Sequence, residues 1–208
     1  MKTIIIMRVE WLGHASIKLI MNGKIVYIDP YQVEGVKADF ILITHDHYDH
    51  CDPNSVNALK KPETKIVTTK LASEKISGDI TVVEEGDTVD LGFKVTAVPA
   101  YNKTKNFHPR GLGVGFVIDG EKRVYHAGDT DLIPEMGQLE GVDLAFLPVG
   151  GTYTMDVKEA IEAVKLIRPK AVFPIHYGSI GLTANIDVFA KAVEELGVNV
   201  YTEKSFEL

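Results

Sequence analysis

The sequence predicts an α+β chain in which two β-sheets carry helices on their outer faces. Two observations lead there. Short strand-like runs outnumber the helical patterns, of which only two are long. Several of those runs alternate with helices in β-α-β order, which lays helices against a sheet instead of against one another.

Taken in order, strand-like runs span 4–12, 16–21, 24–28 and 40–44. Asn22-Gly23 joins the second to the third as a tight hairpin, because both residues accept a left-handed backbone. A short helix follows at 53–59, then a strand at 65–69, a short helix at 71–76 and strands at 81–83, 93–98 and 113–118. Asp119-Gly120 reads as another hairpin turn, leading into a strand at 123–126. A short helix is expected at 133–136 and a strand at 144–149. Asp156 opens the first long helix, with Glu159 completing a capping box. Val157, Ile161, Val164 and Ile167 share one face of it, and Pro169 stands past its end. After a strand at 171–175, the second long helix covers 186–196, with Phe189, Val193 and Leu196 inward and Gly197 as the stop. A last strand is expected at 199–202. No linker composition or tandem repeat divides the chain, so residues 1–208 are expected to form a single domain.

Composition narrows the function. Hydrophobic residues at 45% and charged residues at 25% are ordinary globular values, which excludes a disordered tail, a collagen-like rod or a coiled coil. The net charge of −7 argues against a broad nucleic-acid-binding face. Cys51 has no second cysteine to pair with, which suggests a reducing, cytoplasmic setting. The apolar run at 4–7 is broken by Arg8 and Glu10, too short for a signal-peptide core or a membrane span. The expectation is a cytoplasmic protein with no membrane or nucleic-acid partner; oligomeric state stays open.

The chemistry concentrates in Thr44-His45-Asp46-His47-Tyr48-Asp49-His50, between an apolar strand and the helix start at Asp52-Pro53. Imidazole and carboxylate are the usual ligands of zinc and similar divalent ions. Alternation puts His45 and His47 on one side, while Asp49 and His50 can reach a second point nearby. Asp29, Asp129, His14, His126 and His176 also sit at or just beyond the ends of apolar runs, where α/β proteins place their chemistry. His108 lies in a loop.

These motifs resemble the metallo-β-lactamase-fold hydrolase superfamily. Trp11-Leu12-Gly13-His14 and His126-Ala127-Gly128-Asp129-Thr130 are similar to a compact branch near the L-ascorbate-6-phosphate lactonases and N-acylphosphatidylethanolamine phospholipases D. The resemblance implies an αββα sandwich with metal at one sheet edge. It implies that His45 and His47 bind a first ion, and that Asp49, His50 and His176 bind a second, with Asp129 bridging. Zinc is the expected metal, one or two ions, with Mn2+ or Fe2+ as alternatives. The family's third histidine of site one is expected where Asn102 stands, so site one is expected to be weak unless His108, six residues on, loops back. Asp29 is read as fixing a histidine tautomer, His126 as supporting its loop, and His14 as either facing substrate or capping a turn.

Other signals are weaker. Gly111-x-Gly113-x-Gly115 precedes a strand and resembles a dinucleotide loop only superficially. Gly150-Gly151-Thr152-Tyr153 is either a tight connection or a backbone approach to substrate. Lys103, Lys105 and Arg110 share the His108 loop and hint at an anionic small-molecule substrate. The expected activity is hydrolysis of an ester, lactone or phosphodiester by a metal-activated water, with Asp49 and Asp129 as the catalytic carboxylates. The alternatives are a nuclease of the same superfamily and a metal-binding ligand sensor without catalysis.

Overall fold

The computed structural model of the chain describes residues 7–208. The first three residues of the run expected at 4–12 lie outside them. In chain order the elements are β1 (Arg8–Gly13), β2 (Ser16–Met21), β3 (Lys24–Ile28), β4 (Phe40–Ile43), α1 (Pro53–Leu59), β5 (Lys65–Thr68), α2 (Lys70–Ser73), β6 (Asp79–Val82), β7 (Thr88–Asp90), β8 (Lys94–Ala100), β9 (Gly113–Asp119) and β10 (Arg123–His126). A 3₁₀ turn at Pro134–Gln138 precedes β11 (Leu144–Pro148), α3 (Val157–Ile167), β12 (Ala171–Ile175), α4 (Ile186–Glu194), β13 (Asn199–Val200) and β14 (Ser205–Glu207).

The described strands form two seven-stranded mixed sheets, ordered β14-β1-β2-β3-β4-β5-β6 and β13-β12-β11-β10-β9-β8-β7. Each sheet has an antiparallel half and a parallel half: β3 to β6 run parallel in the first, β10 to β13 in the second. The Asn22-Gly23 turn places both residues at positive φ, 49° and 69°, as a primed hairpin turn requires.

Strand alternation sorts the core into three layers. Phe40 and Leu42 of β4 face the space between the sheets, where Phe116, Phe146 and Phe173 of the second sheet meet them. Ile41 and Ile43 face outward onto Val56 and Leu59 of α1 and Ala72 of α2. On the other side, Ala145 and Leu147 of β11 pack against Ala160 and Val164 of α3 and Phe189 and Val193 of α4. The result is an αββα sandwich. Each fully buried Leu, Ile or Phe contributes roughly 1.5–3 kcal/mol of transfer free energy, so the continuous apolar runs of β4, β11 and β12 anchor both faces at once.

Two strands escaped the sequence pattern. β7 and β14 are three-residue strands with exposed ends, and both sit at sheet edges. Three residues are too few to show a period, so pairing with β8 and β1 defines them. Elsewhere the differences are at boundaries: the strand expected at 199–202 ends at Val200, α4 at Glu194, and the helix expected at 71–76 is a single turn over Lys70–Ser73.

Candidate metal centre

The fold brings strand ends together. His14 follows β1, Asp29 follows β3, Thr44-His45 follows β4, Asp129 lies beyond β10, and His176 follows β12. His14, Asp29 and His176 all have left-handed backbones, with φ of 53°, 47° and 61°. Such conformations cost non-glycine residues roughly 1–2 kcal/mol, so the surrounding packing must hold them. Glycines let the backbones close in. A Cβ on Gly150 would stand 2.4 Å from the His176 carbonyl oxygen. One on Gly128, whose φ is +62°, would meet the Val114 oxygen at 2.8 Å. Gly113 packs on the His45 Cβ and Gly115 on the carbonyls of His126 and Ala127, which is the use of that glycine run.

Three overlapping groups of donor atoms result: His45, His47 and His108; His45, His50 and Asp129; and His14, Asp49, His50 and His176. Asp129 lies between them. Its Oδ1 is 3.3 Å from His50 Nε2, and its Oδ2 is 3.0 Å from His176 Nε2 and 3.2 Å from His108 Nε2. His108 Nε2 also lies 3.2 Å from His47 Nδ1.

Hydrogen bonds on the far side of the rings fix which nitrogen carries the lone pair. Asp29 accepts from the Thr44 amide at 2.7 Å, from Thr44 Oγ1 at 2.7 Å and from His50 Nδ1 at 2.8 Å. His50 Nδ1 therefore donates to Asp29, and Nε2 is the nitrogen left facing the cluster. Burial alone would lower the ring's pKa, but Asp129 and Asp29 raise it well above the usual histidine range, so Nε2 gives up its proton when a cation takes that place. Thr44 Oγ1 donates to Asp29, so it accepts from His45 Nδ1 at 3.0 Å. That leaves His45 Nε2 as a lone pair. His45 Nε2, His50 Nε2, both nitrogens of His176 and Asp129 Oδ1 are buried without a hydrogen-bond partner among the described residues. Buried polar atoms left without partners each cost about 1–3 kcal/mol, a cost that a cation set among them removes. Imidazole nitrogen and carboxylate oxygen suit zinc, manganese or iron, so the residues present fit a bound divalent metal.

Asn102 does not stand in a ligand's place. Its Nδ2 donates to Asp131 Oδ1 at 3.0 Å and to the Tyr153 carbonyl at 2.9 Å, which turns Oδ1 toward His108. That oxygen accepts from the His108 amide at 3.0 Å and from His108 Nδ1 at 3.2 Å, leaving His108 Nε2 facing His47 and Asp129. The loop folds back on this amide and brings the His108 ring beside His45 and His47.

His14 lies against Asp49, with Nε2 2.9 Å from Oδ2 and Nδ1 2.7 Å from Ser179 Oγ. An ionised carboxylate only accepts, so Nε2 donates to Asp49 and Ser179 donates to Nδ1. Ser179 carried no sequence signal: it is 165 residues from His14. Trp11 donates to the His14 carbonyl at 3.0 Å and stacks on Tyr177. His126 stands apart from the donor groups. Its Nε2 donates to the Ala15 carbonyl at 3.0 Å and its Nδ1 accepts from the Gly128 amide at 3.2 Å, tying the two sheets together. Cys51 is buried against the Ala72 carbonyl, and burial pushes its thiol up to about 12.

The basic loop is not a free cationic rim. Lys105 is bound to Asp131 at 2.6 Å and Arg110 to Glu85 at 2.6 Å and Glu135 at 3.0 Å. The motive for an anionic substrate therefore falls on Lys103 alone.

Charge in the cluster follows its neighbours. Burial would raise the Asp49 carboxyl, but the His14 bond and the nearby His50 bring it down to about 2. Burial also opposes ionisation of Asp129, yet His176 and His50 hold it well below the usual carboxylate range. Burial, reinforced by His50, pushes His45 well below the usual histidine range and keeps it neutral, the form in which imidazole binds metal.

Comparison with known proteins agrees with this geometry. A model of the beta-lactamase superfamily domain matches residues 8–176. The chain is 34% identical to a UPF0173 metal-dependent hydrolase of Nanoarchaeum equitans, covering 92% of this chain and 94% of that one. It is 35% identical to a UPF0173 metal-dependent hydrolase of Methanopyrus kandleri, covering 93% and 94%. The structure of a metallo hydrolase from Ignicoccus hospitalis superposes with a TM-score of 0.83 at 26% identity, covering 98% of this chain and 99% of that one. The chain belongs to the UPF0173 metal-dependent hydrolases of the metallo-β-lactamase superfamily.

Proposed function

We propose that this protein is a zinc hydrolase of small-molecule esters, lactones or phosphodiesters. His45, His47 and His108 would hold one ion, and Asp49, His50 and His176 a second, with Asp129 shared. The observation that carries this reading is the convergence of buried, unpartnered imidazole and carboxylate atoms on one point of the sheet edge. When bound, such ions supply Lewis acidity toward a carbonyl or phosphoryl oxygen and make hydroxide available near pH 7.

The chain's own residues supply the positioning. Asp29 and Thr44 hold His45 and His50 in the tautomers that offer Nε2. Asn102 does the same for His108. His14, itself held by Ser179, fixes one oxygen of Asp49. Asp49 and Asp129 stay ionised across the physiological range, and we assign them the orientation of the attacking water.

The test is a panel of neutral esters, lactones, phosphodiesters and nucleic acids. It is run on metal-free protein reconstituted with Zn2+, Mn2+ or Fe2+. Metal-dependent turnover of a small ester, lactone or phosphodiester, lost in Asp129→Asn, supports the reading. Cleavage of nucleic acid alone would replace it with the nuclease reading.

A further inference from the structure

A cleft of about 280 Å³ opens directly over the donor cluster, near the lower end of the roughly 300–1,000 Å³ usual for small-molecule sites. Its floor is His47, Asp49, His108 and Asp129, and its walls are aromatic and aliphatic. Tyr48, between the histidines of the metal loop, is 64% exposed, and Phe107, beside His108, is 48% exposed. Phe107 meets Tyr153 edge to face, with centroids 4.7 Å apart. Large apolar surfaces left in water around a polar floor mark a place where a ligand's apolar part is buried.

The fourth wall is Ile180. It has a φ of 46° and is followed by Gly181 at 80°, in a turn closed by the Leu182 amide on the Ser179 carbonyl at 2.9 Å. A β-branched residue is a poor choice for that conformation, where glycine or asparagine would be relaxed. The strained turn aims Ser179 inward at His14 and leaves Ile180 on the cleft. No lysine or arginine, Lys103 included, lines the cleft among the described residues, and Lys105 and Arg110 of the neighbouring loop are paired with acids.

We infer that the substrate is a neutral carboxylic ester carrying a flat apolar group, which lies between Tyr48, Phe107 and Ile180 while the carbonyl faces the donor cluster. This rests on the metal-hydrolase reading above and names its substrate class. In the reaction the acyl carbon–oxygen bond breaks. Water adds its oxygen to the carbonyl carbon, and one of its protons goes to the departing alcohol. The products are an acid and an aromatic or similarly apolar alcohol. No cation of the chain is required, since neither the ester nor the leaving alcohol is charged.

The test uses metal-loaded protein and three acetates whose leaving alcohols have similar basicity: ethyl, benzyl and para-carboxybenzyl. Burying a phenyl ring against aromatic walls should raise kcat/KM for benzyl acetate about tenfold or more over ethyl acetate. The para-carboxylate should forfeit most of that gain. In Phe107→Ala and in Ile180→Gly, which relaxes the turn, the benzyl-to-ethyl ratio should fall toward one while metal content is retained. Binding of the isosteric ketone, in which a methylene replaces the ester oxygen, is measured in parallel by calorimetry. It should weaken in both variants. Benzyl and ethyl acetate handled alike, a ratio untouched in both variants, or no binding of the ketone would each overturn the inference. If no ester, lactone or phosphodiester is turned over but the ketone binds and the variants weaken it, the hydrolytic reading fails and the apolar cleft stands.

Discussion

The side-chain amide of Asn102 determines where His108 points. With Nδ2 committed to Asp131 and to the Tyr153 carbonyl, Oδ1 has only the His108 amide, Nδ1 and the Phe107 amide to accept from. Asn102→Ala removes that acceptor and should weaken metal binding at the first group by about 10- to 100-fold. Asn102→Asp keeps that oxygen but sets a second one against Asp131 and the Tyr153 carbonyl, so it should not restore binding; titrating metal into metal-free protein measures both. His126 gives a pH signature away from the donor cluster. Burial outweighs the attraction of Asp29 and holds it below the ordinary value of 6.5. Below that pH the unfolded chain takes up a proton that the native ring refuses, so stability falls as the pH drops. His126→Gln keeps a donor for the Ala15 carbonyl but does not titrate. Urea unfolding between about pH 7.5 and 5.5 should therefore show a shallower loss of stability in the variant than in the parent.

Among the elements, α3 shows most directly how local chemistry builds the frame. Asp156 accepts from the Glu159 amide at 2.8 Å, and Glu159 returns a bond to the Asp156 amide at 3.0 Å. Asp156→Ala should cost about 1 kcal/mol in chemical denaturation. At the other end Arg168 is forced to a φ of 53°, so Arg168→Gly should gain about 0.5–1 kcal/mol. The turn after β11 answers to the site instead. Gly150→Ala would drive a methyl into the His176 carbonyl, so it should both destabilise the protein by about 1–3 kcal/mol and lower its metal content. These elements also show what the sequence discloses. The β4 loop was legible because its ligand types are packed into six consecutive positions, and α3 because cap and period agree. β7 and β14 were not, since two or three exposed residues carry no pattern. Nor was the partnership of His14 with Ser179, or of Asn102 with Asp131, because contacts between distant loops leave no local spacing to read. The pairing of the basic loop was hidden for the same reason: its acids, Glu85, Asp131 and Glu135, come from other segments.

At the scale of the whole molecule, two sheets meet along one edge at which the parallel strands end, and each sheet supplies part of the cluster. His45, His47, Asp49 and His50 come from the first sheet, and His108, Asp129 and His176 from the second. An ion held between them links the two halves of the sandwich, so binding should add to global stability. Free Zn2+ at a hundred times its dissociation constant should add about 2.7 kcal/mol, read as a raised Tm that a chelator reverses. The centre proposed above would hold about two ions per chain. The most direct measurement is elemental analysis of the reconstituted protein beside His47→Ala and His176→Ala, each checked to be folded by circular dichroism. The parent should carry about two ions and each variant about one fewer. Full metal retention in both variants would contradict it.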